Sequence, residues 1–101
     1  MKVKLKKTLL KDYEKKTDIL KAMAHPTRLF ILDQLKKETL CVCEINELID
    51  ADVSTISKHL TVLKNAGLVS RTKKGLQVFY KLEAPCMLKS LECVESVINK
   101  K

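Results

Sequence analysis

Apolar residues recur along most of this chain at the three-and-four spacing of helices and give way to β-prone runs only late in the sequence. Leu9, Tyr13, Leu20 and Met23 mark an amphipathic first helix over about residues 8–23. His25-Pro26-Thr27-Arg28 then breaks and restarts the chain. Pro26 suits the first position of a second helix, because its missing N–H would have no intrahelical partner there. Leu29, Leu32 and Leu35 give that helix its buried side, and Lys36-Lys37 end it with the charge that a helix C-terminus favours. A short third helix is predicted over about residues 41–49, with Ile45, Leu48 and Ile49 facing inward. Asp52 is a good N-cap for a fourth helix that reaches Asn65 or Ala66 and is stopped by Gly67. Residues 68–72 and 76–82 read as strands of an antiparallel hairpin turning at Lys73-Lys74-Gly75. Ala84-Pro85 opens a last helix over about residues 86–99, with Met87, Leu91, Val94 and Ile98 as its packing stripe.

With 101 residues there is room for one domain and one modest core. Only two Gly and two Pro are present, which favours helices on short connections over a turn-rich sandwich. The net charge of +8 changes the picture most, since a basic domain of this size points to a polyanionic partner, nucleic acid ahead of a membrane surface. The basic start is followed by no apolar stretch fit for a signal peptide, and the run from Leu29 to Leu32 is too short to span a bilayer. A cytoplasmic protein is expected, in which four Cys serve as ligands, sensors or buried thiols rather than structural disulfides.

Two short helices, a tight turn and a longer helix with a polar outer face make a helix-turn-helix. At about 100° per residue, Ile56, Leu60 and Leu63 of the fourth helix form one apolar stripe. Ser54, Lys58, Thr61 and Asn65 lie opposite it, with Thr55 and Ser57 on the flanks. Short hydroxyls and one Lys suit close approach to base edges and phosphates in a major groove. An isolated helix with that face would read as merely solvated. The following hairpin, with Arg71, Lys73, Lys74 and Gln77, resembles the wing of a winged helix, placed to grip the flanking backbone. His59 sits near the core stripe and reads as a packing or phosphate-contacting residue, and His25 as part of a helix start.

Several segments in order and spacing resemble the arsenic-repressor (ArsR/SmtB) family. They are Ala24-His25-Pro26-Thr27-Arg28-Leu29, Leu40-Cys41-Val42-Cys43-Glu44-Ile45, Ser54-Thr55-Ile56-Ser57-Lys58-His59-Leu60 and Leu63-Lys64-Asn65-Ala66-Gly67-Leu68-Val69. The resemblance implies a dimeric winged helix, mainly α with a small β-hairpin, in the order α-α-α-α-β-β-α, whose first and last helices form the dimer interface. It also implies a repressor of a near-palindromic double-stranded operator, released when a metal or thiol-reactive effector binds. Val53 stands where the family often has a polar residue. Asn46 stands where the family's arsenic sensors commonly carry a third Cys, and the carboxylate and His set of its zinc sensors is missing from the last helix.

Cys41 and Cys43 fall at the start of the third helix, where capping favours Ser, Thr, Asp or Asn. Helix N-termini favour thiolate, the form that binds soft ions or reacts, and that is the reason to weigh these two thiols as a sensor against a buried pair. Cys86 and Cys93 are the remaining thiols. On one intact helix they would lie about 10.5 Å apart along the axis, whereas sulfurs sharing one ion need about 3.8 Å. Three arrangements remain: Cys41 and Cys43 joined by one of them across the fold or dimer, the helix start unwound around Cys86, or thiols paired by oxidation. A thiolate site suits As(III) foremost, or Cd(II), Zn(II) or Cu(I); the alternative is a redox- or persulfide-sensing repressor. A small thiol-disulfide enzyme is the competing class, but Cys-x-Cys in a helical context lacks the βαβ setting of a redox Cys-x-x-Cys. A structural zinc module that only recruits other proteins is a third.

Overall fold

The computed structural model describes residues 2–100 as helices α1 (Lys7–Met23), α2 (Pro26–Lys37), α3 (Val42–Leu48), α4 (Val53–Asn65) and α5 (Lys89–Ile98) around a small antiparallel sheet. The sheet has strands β1 (Leu40–Cys41), β2 (Val69–Lys74) and β3 (Gln77–Leu82) in the order β1-β3-β2. This is a winged helix-turn-helix, mainly α with a small β component.

Pro26 is the first residue of α2, and His25 caps that helix by accepting the Thr27 N–H at Nδ1, 3.1 Å away. The end of α4 is fixed as firmly. Gly67 takes a φ of +80°, its N–H donates to the Lys64 carbonyl at 3.0 Å, and the Leu68 N–H donates to the Leu63 carbonyl at 3.1 Å. These paired bonds form a Schellman motif that only a residue free to enter the left-handed region completes cheaply.

The core is built where the apolar spacing places it. Ile56, Leu60 and Leu63 on the back of α4 meet Ile31, Leu32 and Leu35 of α2, with Leu40, Leu68, Val69 and Tyr80 closing it from the sheet side. Ile31 joins this set although the simple spacing of Leu29, Leu32 and Leu35 passes over it; Leu29 is only partly buried. Leu48, expected inward, is half exposed because α3 ends there, and Ile45 carries the burial for that helix.

Other boundaries also shift. The hairpin turns at Gly75-Leu76, not at Lys73-Lys74-Gly75, since Lys74 pairs with Gln77 across the two-residue turn. Gly75 at φ +62° fits the first turn position of a type II′ hairpin. The last helical segment starts as a 3₁₀ turn, Pro85–Leu88, before α5. Cys86 is therefore on that turn and Cys93 on α5, so the two do not share one regular α-helix. Strand β1 was not expected at all: Leu40 pairs with Tyr80 and Cys41 with Phe79.

Helices α1 and α5 are largely uncovered. In α1 only Ala22 and Met23 are buried, and Tyr13 and Leu20 stand open; in α5 nothing is buried, and Val94, Val97 and Ile98 are exposed. The molecule is accordingly drawn out to 56 × 37 × 22 Å.

Candidate nucleic-acid interface and cysteine pair

Ser54, Thr55, Ser57, Lys58 and Thr61 are all exposed on α4, while Ile56, Leu60 and Leu63 on its other side are at most 1% exposed. The helix thus presents a row of short polar groups on a rigid apolar mount. The Thr61 hydroxyl donates back to the Ser57 carbonyl at 2.9 Å, leaving its oxygen free as an acceptor. Asp52 occupies the N-cap position without a side-chain bond to the helix start, so N–H groups of the first turn stay unclaimed by it.

The hairpin distributes its polar residues over two faces. Arg71 pairs with Tyr80 and Lys73 with Val78, and these share the face that looks toward α4. Lys74 belongs to the opposite face, where its ammonium lies 5.7 Å from the centre of the Phe79 ring, while Gln77 across the turn from it still reaches the edge of the groove beside α4.

A side-chain network that local spacing does not announce ties α4 to the first two helices. The Arg28 guanidinium donates to the Ala22 carbonyl (2.6 Å), the Lys21 carbonyl (3.3 Å) and Nδ1 of His59 (3.2 Å), tying the end of α1 to α4 through α2. A guanidinium only donates, so His59 accepts at Nδ1 and carries its proton on Nε2. The His25 and His59 rings lie 4.3 Å apart. Burial first, then the neighbouring His25 and Arg28 charges, hold His59 below the usual imidazole range. Only the fold resists that proton, so the stability this site contributes is complete above about pH 6.5 and is lost as pH falls through the lowered value. The unfolding midpoint of the protein is expected to fall between pH 7.5 and 5.5 by more than that of His59→Asn, which keeps an acceptor for Arg28 without titrating. Equal losses in circular-dichroism melts would show that His59 does not couple.

Cys41 is both the last residue of β1 and the N-cap of α3. Its Sγ accepts the Glu44 N–H at 3.4 Å, and the Cys41 N–H donates to the Glu44 carboxylate at 3.0 Å. This is a capping box with sulfur in place of the usual hydroxyl. The same Sγ is bonded to Cys43, so the pair is present as a disulfide. A bridge that closes so short a loop removes little chain entropy from the unfolded state, which argues against a structural staple. Cys86 and Cys93 are free and exposed, and among the described residues no three His, Cys, Asp or Glu side chains gather as a metal would require.

The structure brings together two sets of residues that are separate in sequence. Cys41, Cys43, Ser57, Thr61, Arg71 and Gln77 all line one groove between α4 and the hairpin. Cys86 and Cys93 lie outside that lining, as do Ser54, Thr55, Lys58, Lys73 and Lys74.

Comparison with known proteins agrees with this architecture. The family model for bacterial regulatory proteins of the arsR family matches residues 25–71. An HTH-type transcriptional regulator of Methanocaldococcus jannaschii is 43% identical over 70% of this chain and 81% of its own length. The arsenical resistance operon repressor of Bacillus subtilis is 36% identical over 76% of this chain and 71% of its own. Reduced HlyU from Vibrio cholerae superposes with a TM-score of 0.76 at 34% identity, covering 88% of this chain and 97% of that one.

Proposed function

The chain belongs to the ArsR family of bacterial transcriptional regulators and is a DNA-binding repressor rather than an enzyme, and from that premise we propose how it reads DNA and how it lets go. The observation that carries the reading is the exposed hydroxyl-and-lysine face of α4 beside a cationic hairpin. Ser54, Thr55, Ser57, Lys58 and Thr61 contact base edges and nearby phosphates of double-stranded DNA. Arg71, Lys73, Lys74 and Gln77 hold the flanking backbone. One such helix reads too few base pairs for tight specific binding, so two copies pair on a near-palindromic operator. The uncovered apolar sides of α1 and α5 supply the dimer surface. Among the described residues no helix is long and apolar enough to cross a membrane, and a cytoplasmic site of action follows from the DNA partner.

Ser57→Ala and Lys58→Ala are each expected to weaken operator binding about tenfold with the fold intact. Lys74→Ala should weaken all duplexes alike and flatten the dependence of affinity on salt. Fluorescence-anisotropy titrations at several salt concentrations measure both, and an operator affinity untouched by Ser57→Ala and Lys58→Ala would remove α4 as the reader. Sedimentation equilibrium should give a dimer at micromolar concentration; a monomer there contradicts the paired reading.

The switch is placed at Cys41 and Cys43, whose sulfurs are joined to each other and border the reading groove. Thiol oxidation state is the signal this arrangement supports best. Release by a thiophilic ion, As(III) foremost and then Cd(II), Zn(II) or Cu(I), is the second reading, favoured by the similarity to the B. subtilis arsenical resistance operon repressor. It requires the reduced pair and a further thiolate, from Cys86 or Cys93 of either copy, because a third donor is not at hand beside Cys41 and Cys43 among the described residues. Titrating the reduced and the disulfide forms on operator DNA, with each ion and with a persulfide donor, separates the two.

A further inference from the structure

The groove between α4 and the hairpin has a volume of about 660 Å³, well within the range of cavities that hold small molecules. Its wall carries Lys64 and Arg71 and no Asp or Glu, so two cations face the space with no anion beside them. The same wall carries the disulfide, and its two sulfurs differ in access. Cys43 is exposed, whereas Cys41 is buried and has the Glu44 N–H directed at its Sγ.

From this juxtaposition we infer that the groove is a site for an anionic low-molecular-weight thiol of peptide size, captured as a mixed disulfide on Cys43 with its carboxylates against Lys64 and Arg71. The incoming thiolate attacks the accessible Cys43 Sγ and forms one new S–S bond. The Cys41–Cys43 bond breaks, and its electron pair leaves on Cys41 Sγ as a thiolate that the Glu44 N–H is placed to stabilise. One disulfide is exchanged for another, so no separate oxidant is consumed. Reduced Cys86 and Cys93 have no disulfide to exchange and stay out of the reaction. The adduct fills the space beside Ser57, Thr61 and Gln77 and brings negative charge to a face that meets phosphates. This last consequence rests on the proposed DNA reading; the site itself does not.

The test uses the protein carrying the Cys41–Cys43 disulfide, incubated without DNA with glutathione or with neutral 2-mercaptoethanol, quenched in acid and read by peptide mass mapping. Glutathione is expected on the Cys43 side with Cys41 free. Lys64→Gln, at an exposed position that leaves the core alone, should slow glutathione capture roughly fivefold and 2-mercaptoethanol capture by less than about twofold, and high salt should erase the difference. Capture on Cys41, or equal sensitivity of both thiols to Lys64→Gln, overturns the site. Charge-selective capture by a protein that binds no duplex supports the site and defeats the DNA reading. Duplex binding that survives complete thiolation overturns the proposed release.

Discussion

Leu60→Ala is expected to lower the stability of the fold by about 2–5 kcal/mol. Leu60 is 1% exposed, between Ile56 and Leu63 on the buried side of α4, and its neighbours come from α2 and the sheet as well as from its own helix. Removing its branched end leaves a hole that those elements close only partly, because each is also held by its own bonds. A domain of this size has only about 5–15 kcal/mol in hand, so the melting temperature should drop by roughly 10–30 °C. Val62→Ala is the control: the neighbouring side chain is 38% exposed, and the change should stay within about 0.5 kcal/mol. Thermal melts at fixed protein concentration give both numbers, and a Leu60→Ala loss as small as that of Val62→Ala would mean that α4 is not mounted on this core.

The second large effect is expected in release, with affinity unchanged. Cys41→Ser and Cys43→Ser should bind the operator as the parent does but fail to let go when the thiol effector is added. For Cys41 this prediction is sharpened by its role as N-cap, because serine fills that position at least as well. The fold and the start of α3 survive the change, and only the sulfur chemistry is lost. An effector shifts the equilibrium only through differential binding, and a coupling of about 1–3 kcal/mol corresponds to release by roughly 5- to 150-fold. Cys86→Ser and Cys93→Ser lie on exposed positions away from the groove and should release normally under the redox reading. Under the ion reading one of them fails with the Cys41 and Cys43 variants. Normal release in all four variants with every effector would show that the cysteines are not the switch.

How far the sequence could be read depended on how local each cause was. The stripe of Ile56, Leu60 and Leu63, the proline that starts α2 and the glycine that ends α4 are set by neighbours within one turn, and all three are found where the spacing puts them. The exposed row on α4 followed from the same geometry. Strand β1 is two residues long and exists only because Tyr80 and Phe79 come to it from forty positions away, which no local pattern announces. The bond network of Arg28 with His59 is likewise a matter of tertiary placement. The cap at Cys41 depends on a second residue: sulfur is a weak acceptor, but the Glu44 carboxylate returns a second bond and makes the box workable. The local signal for that box is Glu44 itself, a glutamate three residues after the cap position. The placement of Cys43 beside Ser57 and Arg71 is set by the packing of three separate elements and has no local signature.

The drawn-out outline has a thermodynamic meaning. A compact chain of this length has a radius of gyration near 13 Å by the usual scaling, whereas this one measures 16.1 Å. The excess comes with α1 and α5, whose apolar residues remain in water when one copy is alone. If those helices find cover only in the pair, folding and association become one equilibrium, and the denaturation midpoint climbs with protein concentration instead of staying fixed. Dilution then removes folded protein as well as bound operator. A modest drop in expression would be amplified into a steeper loss of repression, and a second copy would protect each molecule from proteolysis as much as it helps it to hold DNA.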